Sequence, residues 1–343
     1  MIKEIPFPFS FTLFGRTGVS TYSIMLMLAF LTASYLIPRE LKRRGLKPEV
    51  SDWIILLAVA GAIVGSKIGF VFEIWNEIWL PGRPEGFFDK LSQILFHYRG
   101  MADRYPGEST GLWEALFSGG GLVFYGGLAV TFAVLYAYLR YNRLEVWRYG
   151  DAFMPSLAVG YAIGRLGCLI SGDGCFGYAA SVNIPVLTMV YGSGAVMNSA
   201  GVNVWNTPVI ESIASTVLFL FFMYWMRFKN FRPGMMTAVF LIFNGVARFL
   251  VEFLRINDAA IPILPPPTIS VAGHDVPLTY ALASAEHQEP LYFLNWHWYG
   301  FTQSQIVAVV MLLIGVAWII TGRLYQQDTG ASAHESGKKK RKK

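Results

Sequence analysis

Charged residues are scarce in this chain. Asp, Glu, Lys and Arg together make up 15% of its 343 residues, against about 25% in soluble domains. Hydrophobic residues reach 54%, and several apolar windows are long enough to cross a hydrocarbon core of about 30 Å. This composition excludes an ordinary soluble protein. It predicts an all-α polytopic membrane protein with one membrane domain, residues 1–325, and a basic tail at 326–343.

Cysteine is also scarce, with two residues, Cys168 and Cys175. Metal sites normally use three or four ligands at tighter spacing, so we expect no metal. Two interpretations of the pair remain open. The cysteines form a disulfide if both lie on the oxidising side of the membrane, or they are two small buried residues.

Two further features are missing from the sequence. The segment before residue 20 has no basic region leading directly into an apolar core, so we do not expect a cleaved signal peptide. None of the five histidines falls in a predicted span, and neither a Ser/His/Asp nor an HExxH arrangement occurs. Histidine-based nucleophilic catalysis and a zinc-protease motif are therefore not indicated.

Seven membrane spans are predicted from the apolar windows. Lys and Arg are concentrated after spans one, three and five and in the tail, which predicts an outer N-terminus and a cytoplasmic C-terminus. The net charge of +6 follows from this topology, so no nucleic-acid partner is indicated. The spans cover residues 20–37, 52–72, 121–139, 151–171, 208–226, 234–254 and 303–322.

Three long segments are predicted on the outer side. The outer arm, 73–120, has apolar residues at helical spacing between 87 and 98, which indicates an interfacial or small packed helix. Residues 173–207 mix β-branched residues with glycine, which favours a small strand-containing periplasmic cap. Residues 256–302 are rich in proline and end in an aromatic stretch.

Ionisable residues inside the spans are the candidate functional groups. Arg165 lies within an apolar stretch, where an arginine costs roughly 2.5–3.5 kcal/mol on insertion scales. Span six contributes Arg248 and Glu252, which are one helical turn apart, and then Arg255. Glu211 opens span five. Either Glu211 and Glu252 neutralise two of the arginines, with Glu252 and Arg255 as one pair, or Arg165 and Arg248 clamp a phospholipid phosphate.

Several sequence pieces resemble the prolipoprotein diacylglyceryl transferases, membrane enzymes of bacteria, and follow that family's order along nearly the whole chain. Tyr22 in span one and Gln305 opening span seven agree with the same pattern. The pieces are VGSKIGFVF (64–72), GGGLVFYGGL (119–128), GRLGCLISGDGCFG (164–177), TPVIE (207–211) and NGVARFLVEFLR (244–255).

The resemblance implies an inner-membrane enzyme whose active site opens toward the periplasm. It would transfer the diacylglyceryl group of phosphatidylglycerol to the lipobox cysteine of a prolipoprotein signal peptide, without metal or organic cofactor. Arg165 and Arg248 would hold the phosphate, with Glu252 orienting Arg248. The remaining implied site residues are Tyr125 as a catalytic group and Tyr22, Lys67, Gly126, Gly127, Gly164, Cys168, Asp173, Glu211, Asn244 and Gln305 as substrate-binding groups.

The chain departs from the family pattern at four positions. Tyr125 stands where the family has a histidine thought to act as base, and tyrosine, with a reference pKa near 10, is a poor base at neutral pH. Cys168 replaces an asparagine, Asn244 a tyrosine and Trp205 a histidine. Two alternatives to the family reaction therefore remain: a phospholipid-dependent transferase with another acceptor, and a non-catalytic lipid-binding homologue.

Overall fold

The computed structural model describes residues 4–6, 18–74, 124–192, 198–271, 274–278 and 290–327. All structural statements below concern these residues. The predicted helix at 87–98 and the basic tail beyond residue 327 lie outside them.

The described chain is mostly helical, as predicted. Six helices are long and apolar enough to span a membrane by length and composition. Helix α3 lies at the predicted third span but is not one of those six, so the seventh span stays a prediction. The helices are α1 (Thr21–Arg43), α2 (Val50–Ile74), α3 (Phe124–Tyr141), α4 (Val146–Ser171), α5 (Thr207–Tyr224), α6 (Met235–Glu252), α7 (Pro290–Leu294) and α8 (Gln303–Thr321), with a 3-10 turn at Met226–Phe228.

Short strands occupy the connections between helices. The predicted strand content of 173–207 is confirmed by an antiparallel pair, β3 with β4. In the proline-rich segment β5 pairs with β8, and β6 pairs with β7, both antiparallel. The strands are β1 (Glu4–Pro6), β2 (Gly18–Ser20), β3 (Thr188–Met189), β4 (Val204–Trp205), β5 (Ile261–Pro262), β6 (Thr268–Val271), β7 (His274–Pro277) and β8 (Gly300–Phe301).

The chain forms two compact units, and the smaller one contains α2 and α3. Glycines allow these two helices to pack backbone to backbone. A Cβ placed on Gly65 would meet the Gly126 carbonyl oxygen, and one placed on Gly61 would lie 2.9 Å from the Thr131 Cα. The small residues of α2 therefore form a packing surface for α3.

Side-chain hydroxyls set the register of α4 against α5 in the larger unit. Ser212 and Ser215 of α5 donate to the carbonyl oxygens of Ala162 and Ala158 of α4, at 3.0 and 2.8 Å. A hydroxyl that satisfies itself on a neighbouring helix permits a close contact without leaving an unpaired polar group in an apolar medium. This register determines which α4 side chains face the start of α5.

A buried carboxylate links α4 to the start of α6. Asp151 of α4 accepts hydrogen bonds from the backbone N–H groups of Gly234 and Thr237, at 2.8 and 2.9 Å. These are donors that the first turn of a helix cannot satisfy internally, and a negative charge there also favours the helix dipole. Asp151 thus caps α6 from a neighbouring helix.

Glycines also bring α6 and α8 together. A Cβ on Gly245 would approach the Ala308 carbonyl oxygen to 2.7 Å, and one on Gly315 would approach Ile242 Cγ1 to 2.7 Å. The glycines of α4 differ in their packing. Gly167 packs on α1, whereas a Cβ on Gly160 or Gly164 would meet nothing within 4 Å in the described structure.

A small aromatic core lies beyond the ends of α4 and α6. It joins the 173–207 cap to the proline-rich segment, so two segments distant in sequence bury one another. Its buried members are Phe176, Tyr191, Val204, Ile256, Leu278, Phe293, Trp296 and Tyr299. The Tyr191 hydroxyl donates to Asn206 Oδ1 at 2.9 Å, which satisfies its buried polar end. This core holds the loop after α4 close to the end of α6.

Candidate functional site

Arg165 lies near the end of α4 and points at the start of α5. Its Nε atom is 2.7 Å from Glu211 Oε2 and donates to the Tyr161 hydroxyl at 3.0 Å. Tyr161 is one helical turn earlier in α4, and its hydroxyl donates in turn to Glu211 Oε2. The Arg165 guanidinium also lies over the Tyr161 ring, with its Cζ atom 5.1 Å from the ring centroid.

Glu211 is the point at which three arginines converge. Besides Arg165, Arg248 Nη1 lies 3.1 Å and Arg255 Nη1 lies 3.5 Å from Glu211 Oε1. The Glu211 side chain is 4% exposed. A buried carboxylate of this kind is stable only when it is paired, and here both of its oxygens are used.

Arg248 is held by three helices. Its Nη2 atom donates to Ser304 Oγ of α8 at 3.1 Å and lies 2.9 Å from Glu252 Oε2, one turn further along α6. The second contact is ionic only, because its direction does not make a hydrogen bond and Glu252 Oε2 has no donor among the described residues. Arg248 and Glu252 thus form an ion pair within α6, and the orienting role of Glu252 stays a prediction.

Glu252 is itself positioned from the start of α8. Its Oε1 atom accepts a hydrogen bond from Thr302 Oγ1 at 2.8 Å and another from Asn257 at 2.7 Å. Thr302 is the N-cap of α8 and forms a capping box with Gln305. Gln305 is fully buried in this cap, so it acts on the cluster through Thr302 and Glu252.

The ion-paired cluster carries an excess of positive charge. Arg165, Arg248 and Arg255 supply three cations, and Glu211 and Glu252 supply two carboxylates. One positive charge therefore remains on groups that are mostly buried: the side chains of Arg165 and Arg248 are 16% and 23% exposed. Uncompensated charge in such a setting strongly favours an anionic ligand.

A small cavity lies between α4, α5 and α6 beside this cluster. Arg248 and Glu211 form its charged wall, and apolar and small residues form the rest. Asn244, one of the predicted substrate-binding residues, also faces it, although its amide donates to Phe240 O of its own helix at 2.9 Å. The lining residues are Tyr161, Glu211, Ala214, Ser215, Phe243, Asn244, Ala247 and Arg248.

The loop after α4 holds a second group of reactive side chains. One ligand atom each from Cys168, Asp173 and Cys175 lies within 4.8 Å of the other two, a set that could hold a metal ion. Tyr22 of α1 packs on Gly167, next to this loop. Cys168, Asp173 and Tyr22, which were predicted to bind substrate, therefore lie near the turn that follows Arg165.

Four predicted site residues belong to the smaller unit. Gly126 and Gly127 pack against α2, and a Cβ on Gly127 would lie 3.0 Å from the Ala62 carbonyl oxygen. This glycine pair thus allows a close backbone approach between α2 and α3. Lys67 lies in α2 and Tyr125 in α3, and the Tyr125 side chain is outside the described structure. The roles proposed for these four residues stay predictions.

The structure combines the two interpretations of the intramembrane charges. Both carboxylates are paired with arginines, as a salt-bridge network requires. The Arg255 guanidinium pairs with Glu211 at 3.5 Å, whereas the Arg255 backbone N–H donates to the Glu252 carbonyl oxygen at 3.2 Å. The two clamp arginines nevertheless share one carboxylate. The sequence interpretation missed Tyr161 and Ser304. The i,i+4 spacing of Tyr161 and Arg165 was a usable signal, whereas nothing local marks Ser304.

Comparison with known proteins identifies the family. The family model described as prolipoprotein diacylglyceryl transferase matches residues 8–321. The chain belongs to this family. It is 45% identical, over 96% of its length and 98% of the relative, to the phosphatidylglycerol–prolipoprotein diacylglyceryl transferase of Leptospira interrogans. The transferase of the same name from Geobacter sulfurreducens is 30% identical over 74% of this chain and 84% of its own length.

Proposed function

We propose that this member of the family transfers the diacylglyceryl group of phosphatidylglycerol to the lipobox cysteine thiol of a prolipoprotein and releases glycerol phosphate. The observation that carries the proposal is the meeting of Arg165 and Arg248 on one buried carboxylate, at 2.7 and 3.1 Å from its two oxygens. Two guanidiniums that each contact a different oxygen of one carboxylate are also suitably spaced to contact two oxygens of one phosphate.

The charge count of the cluster agrees with this ligand. A phosphodiester such as phosphatidylglycerol carries one negative charge, which matches the single positive charge left by three arginines and two glutamates. The wall of the cavity beside Arg248 is largely apolar, which suits the glyceryl and acyl portions of a lipid.

The reaction places new charge where the guanidiniums are. The thiolate sulfur forms a bond to the glyceryl carbon, the bond from that carbon to the phosphate oxygen breaks, and both electrons stay on the phosphate. The phosphodiester becomes a monoester with a second negative charge, balanced by the proton that the thiol releases. Preformed cations at the leaving oxygen stabilise this transition state, and removing one such group typically costs about 10²–10³-fold in rate.

We further propose that the enzyme lies in the bacterial inner membrane with the arginine cluster toward the periplasm. The ends of α4 and α6 and the starts of α5 and α8 carry the cluster. Arg227, which follows the opposite end of α5, pairs with Glu40 of α1, as do Arg43 and Arg44, and Arg44 also contacts Met236 at the opposite end of α6. Excess Lys and Arg mark the cytoplasmic side. A reporter active only in the cytoplasm, fused to the C-terminus, should be active. The same reporter fused within 256–302 should be inactive, and the reverse pattern would contradict this orientation.

The activity is tested with purified protein, phosphatidylglycerol vesicles and a peptide that contains a lipobox cysteine. The wild type should release glycerol phosphate and add a diacylglyceryl mass to the peptide. Arg165→Gln should lose at least about 10²-fold of this rate, because it removes a cation from the leaving group. Arg140→Gln is the matched control, since Arg140 is an exposed arginine at the end of α3.

The outcomes separate the alternatives. Glycerol phosphate release without peptide modification would indicate another acceptor, and lipid binding without release would indicate a non-catalytic homologue. An unchanged rate in Arg165→Gln, with both variants folded in detergent, would overturn the role given to the arginine clamp.

A further inference from the structure

Cys168 and Cys175 are brought together by the turn that ends α4. Gly172 and Gly174 have positive φ angles of 61° and 84°, a conformation that suits glycine and reverses the chain. The Gly172 N–H donates to the Cys168 carbonyl oxygen at 2.9 Å. The reversed chain carries Cys175 back over the last turn of the helix, so that the two sulfurs lie within 4.8 Å of each other.

The backbone around Cys175 is held on both sides. Its N–H donates to Asp173 Oδ1 at 3.1 Å, and its carbonyl accepts from Thr207 Oγ1 at the start of α5. Two residues later the backbone of Gly177 forms an antiparallel β-bridge with that of Arg255, and the Tyr178 N–H donates to the Leu254 carbonyl oxygen at 3.2 Å. Cys175 therefore belongs to a segment fastened to the end of α6, whereas Cys168 belongs to α4.

We propose that Cys168 and Cys175 form a reversible disulfide. It links α4, the helix that carries Arg165, to the segment whose backbone is hydrogen-bonded at the end of α6. Each thiol gives up one proton and one electron, and the sulfur–sulfur bond forms. A dithiol–disulfide oxidant of the outer compartment takes up both electrons and both protons and becomes a dithiol. The bond would hold Arg165, one turn before Cys168, in a constant position relative to Arg255 and Arg248.

The surroundings favour exchange chemistry at Cys175. This residue is partly exposed, whereas Cys168 is buried, so Cys175 is the thiol that an oxidant reaches first. A hydrogen bond from the Cys168 thiol lowers the pKa of Cys175 to about 7, helped by the charges of Arg255 and Arg165. An attacking thiol is most effective when its pKa is near the ambient pH. The same two arginines oppose a cation bound between the sulfurs, which favours the disulfide over a metal.

The proposal rests on the periplasmic orientation given above, and it is tested on the full-length wild type without any activity assay. Membranes are prepared from cells with an alkylating agent present, and the denatured protein is alkylated again and weighed by mass spectrometry. A disulfide gives no alkylated cysteine before reduction and two after it. Cys168→Ser and Cys175→Ser should each show one alkylated thiol without reductant.

Two results would overturn the disulfide. Two alkylated cysteines without reductant would show free thiols. Thiols that are protected at first, but become reactive after a chelator and without reductant, would show a bound metal. If the reporters confirm the orientation and the thiols are free, the disulfide alone fails. If the reporters place the loop in the cytoplasm and the thiols are free, both the proposed orientation and the disulfide fail.

A second readout tests the linking role of the bond. Reductant should lower the thermal unfolding midpoint of the wild type, because a cross-link limits the unfolded chain. It should leave the midpoint of the doubly substituted Cys168→Ser, Cys175→Ser protein unchanged. An equal response in both proteins would contradict a link between α4 and the α6 segment.

Discussion

Arg165 and Glu211 lie on different helices, and their charged atoms Nε and Oε2 are 2.7 Å apart. The α4–α5 register produces this contact, because Ser212 and Ser215 donate to carbonyl oxygens of α4 at 3.0 and 2.8 Å. The arginine required for the proposed phosphate site is therefore already paired with a carboxylate. A phosphate that binds must share or replace the contact with Glu211.

Replacing Glu211 with glutamine should destabilise the protein. Three mostly buried arginines would then face one neutral amide at this position, and breaking a buried ion pair from one side costs about 3–5 kcal/mol. The expected result is a clearly lower thermal midpoint in detergent. A phosphatidylglycerol headgroup analogue should restore part of it, because an anion would replace the lost charge.

Glu49→Gln is the matched control for this substitution, since Glu49 is exposed in the turn before α2. Its free energy of unfolding should change by no more than about 0.5 kcal/mol, the range of ordinary surface substitutions, so its thermal midpoint should stay close to that of the wild type. If Glu211→Gln were equally harmless, the convergence of the three arginines on Glu211 would be wrong.

Tyr161→Phe should weaken catalysis more than folding. The substitution removes a hydroxyl that accepts from Arg165 Nε at 3.0 Å and donates to Glu211, while the ring and its packing remain. Arg165 loses part of its orientation, so we expect the rate of glycerol phosphate release to fall about tenfold, or about 1.4 kcal/mol. Tyr141→Phe, at an exposed tyrosine at the end of α3, should keep the wild-type rate. Equal rates in the two variants would refute the positioning role.

Thr302→Val should uncouple α8 from the arginine cluster. Valine keeps the shape of threonine but cannot donate to Glu252 Oε1, a hydrogen bond of 2.8 Å, or cap the backbone of Gln305. The lost cap alone costs about 1 kcal/mol. We also expect a lower kcat from the misplaced Arg248. Thr302→Ser keeps the hydroxyl and should rescue both the thermal midpoint and kcat. A rescue of the midpoint alone would limit Thr302 to a capping role.

Gly65→Ala should disrupt the pair of helices α2 and α3. The added methyl group would meet backbone atoms of Gly126, which cannot move aside as a flexible side chain can. Overpacking of this kind costs about 1–3 kcal/mol and should lower the thermal midpoint. Gly160→Ala is the control, because a methyl group there meets nothing within 4 Å in the described structure. It should not lower the midpoint, since alanine is the better helix former. A wild-type midpoint in Gly65→Ala would rule out the close helix contact.

The helices were largely predictable from the sequence, because apolar length is a local property of the chain. The predicted spans agree with α1, α2 and α4–α6 within a few residues at most ends, and the start of α8 at Gln303 was predicted correctly. The partner of each charged residue was harder to predict. Glu252 and Arg248 were correctly paired because they are neighbours on one helix. One of the two interpretations paired the Arg255 side chain with Glu252, whereas its guanidinium pairs with Glu211.

Sequence by itself determined that this is a helical membrane protein, and its ordered motifs pointed to the family to which the chain belongs. It also singled out Arg165, Arg248, Glu211 and Glu252, because ionisable residues are rare and costly in apolar spans. Only the tertiary structure decided that three arginines share Glu211, that Tyr161 and Ser304 complete the cluster, and that Cys175 folds back onto Cys168. Those contacts depend on the rotation and register of whole helices and on the turn at Gly172 and Gly174, which no single span specifies.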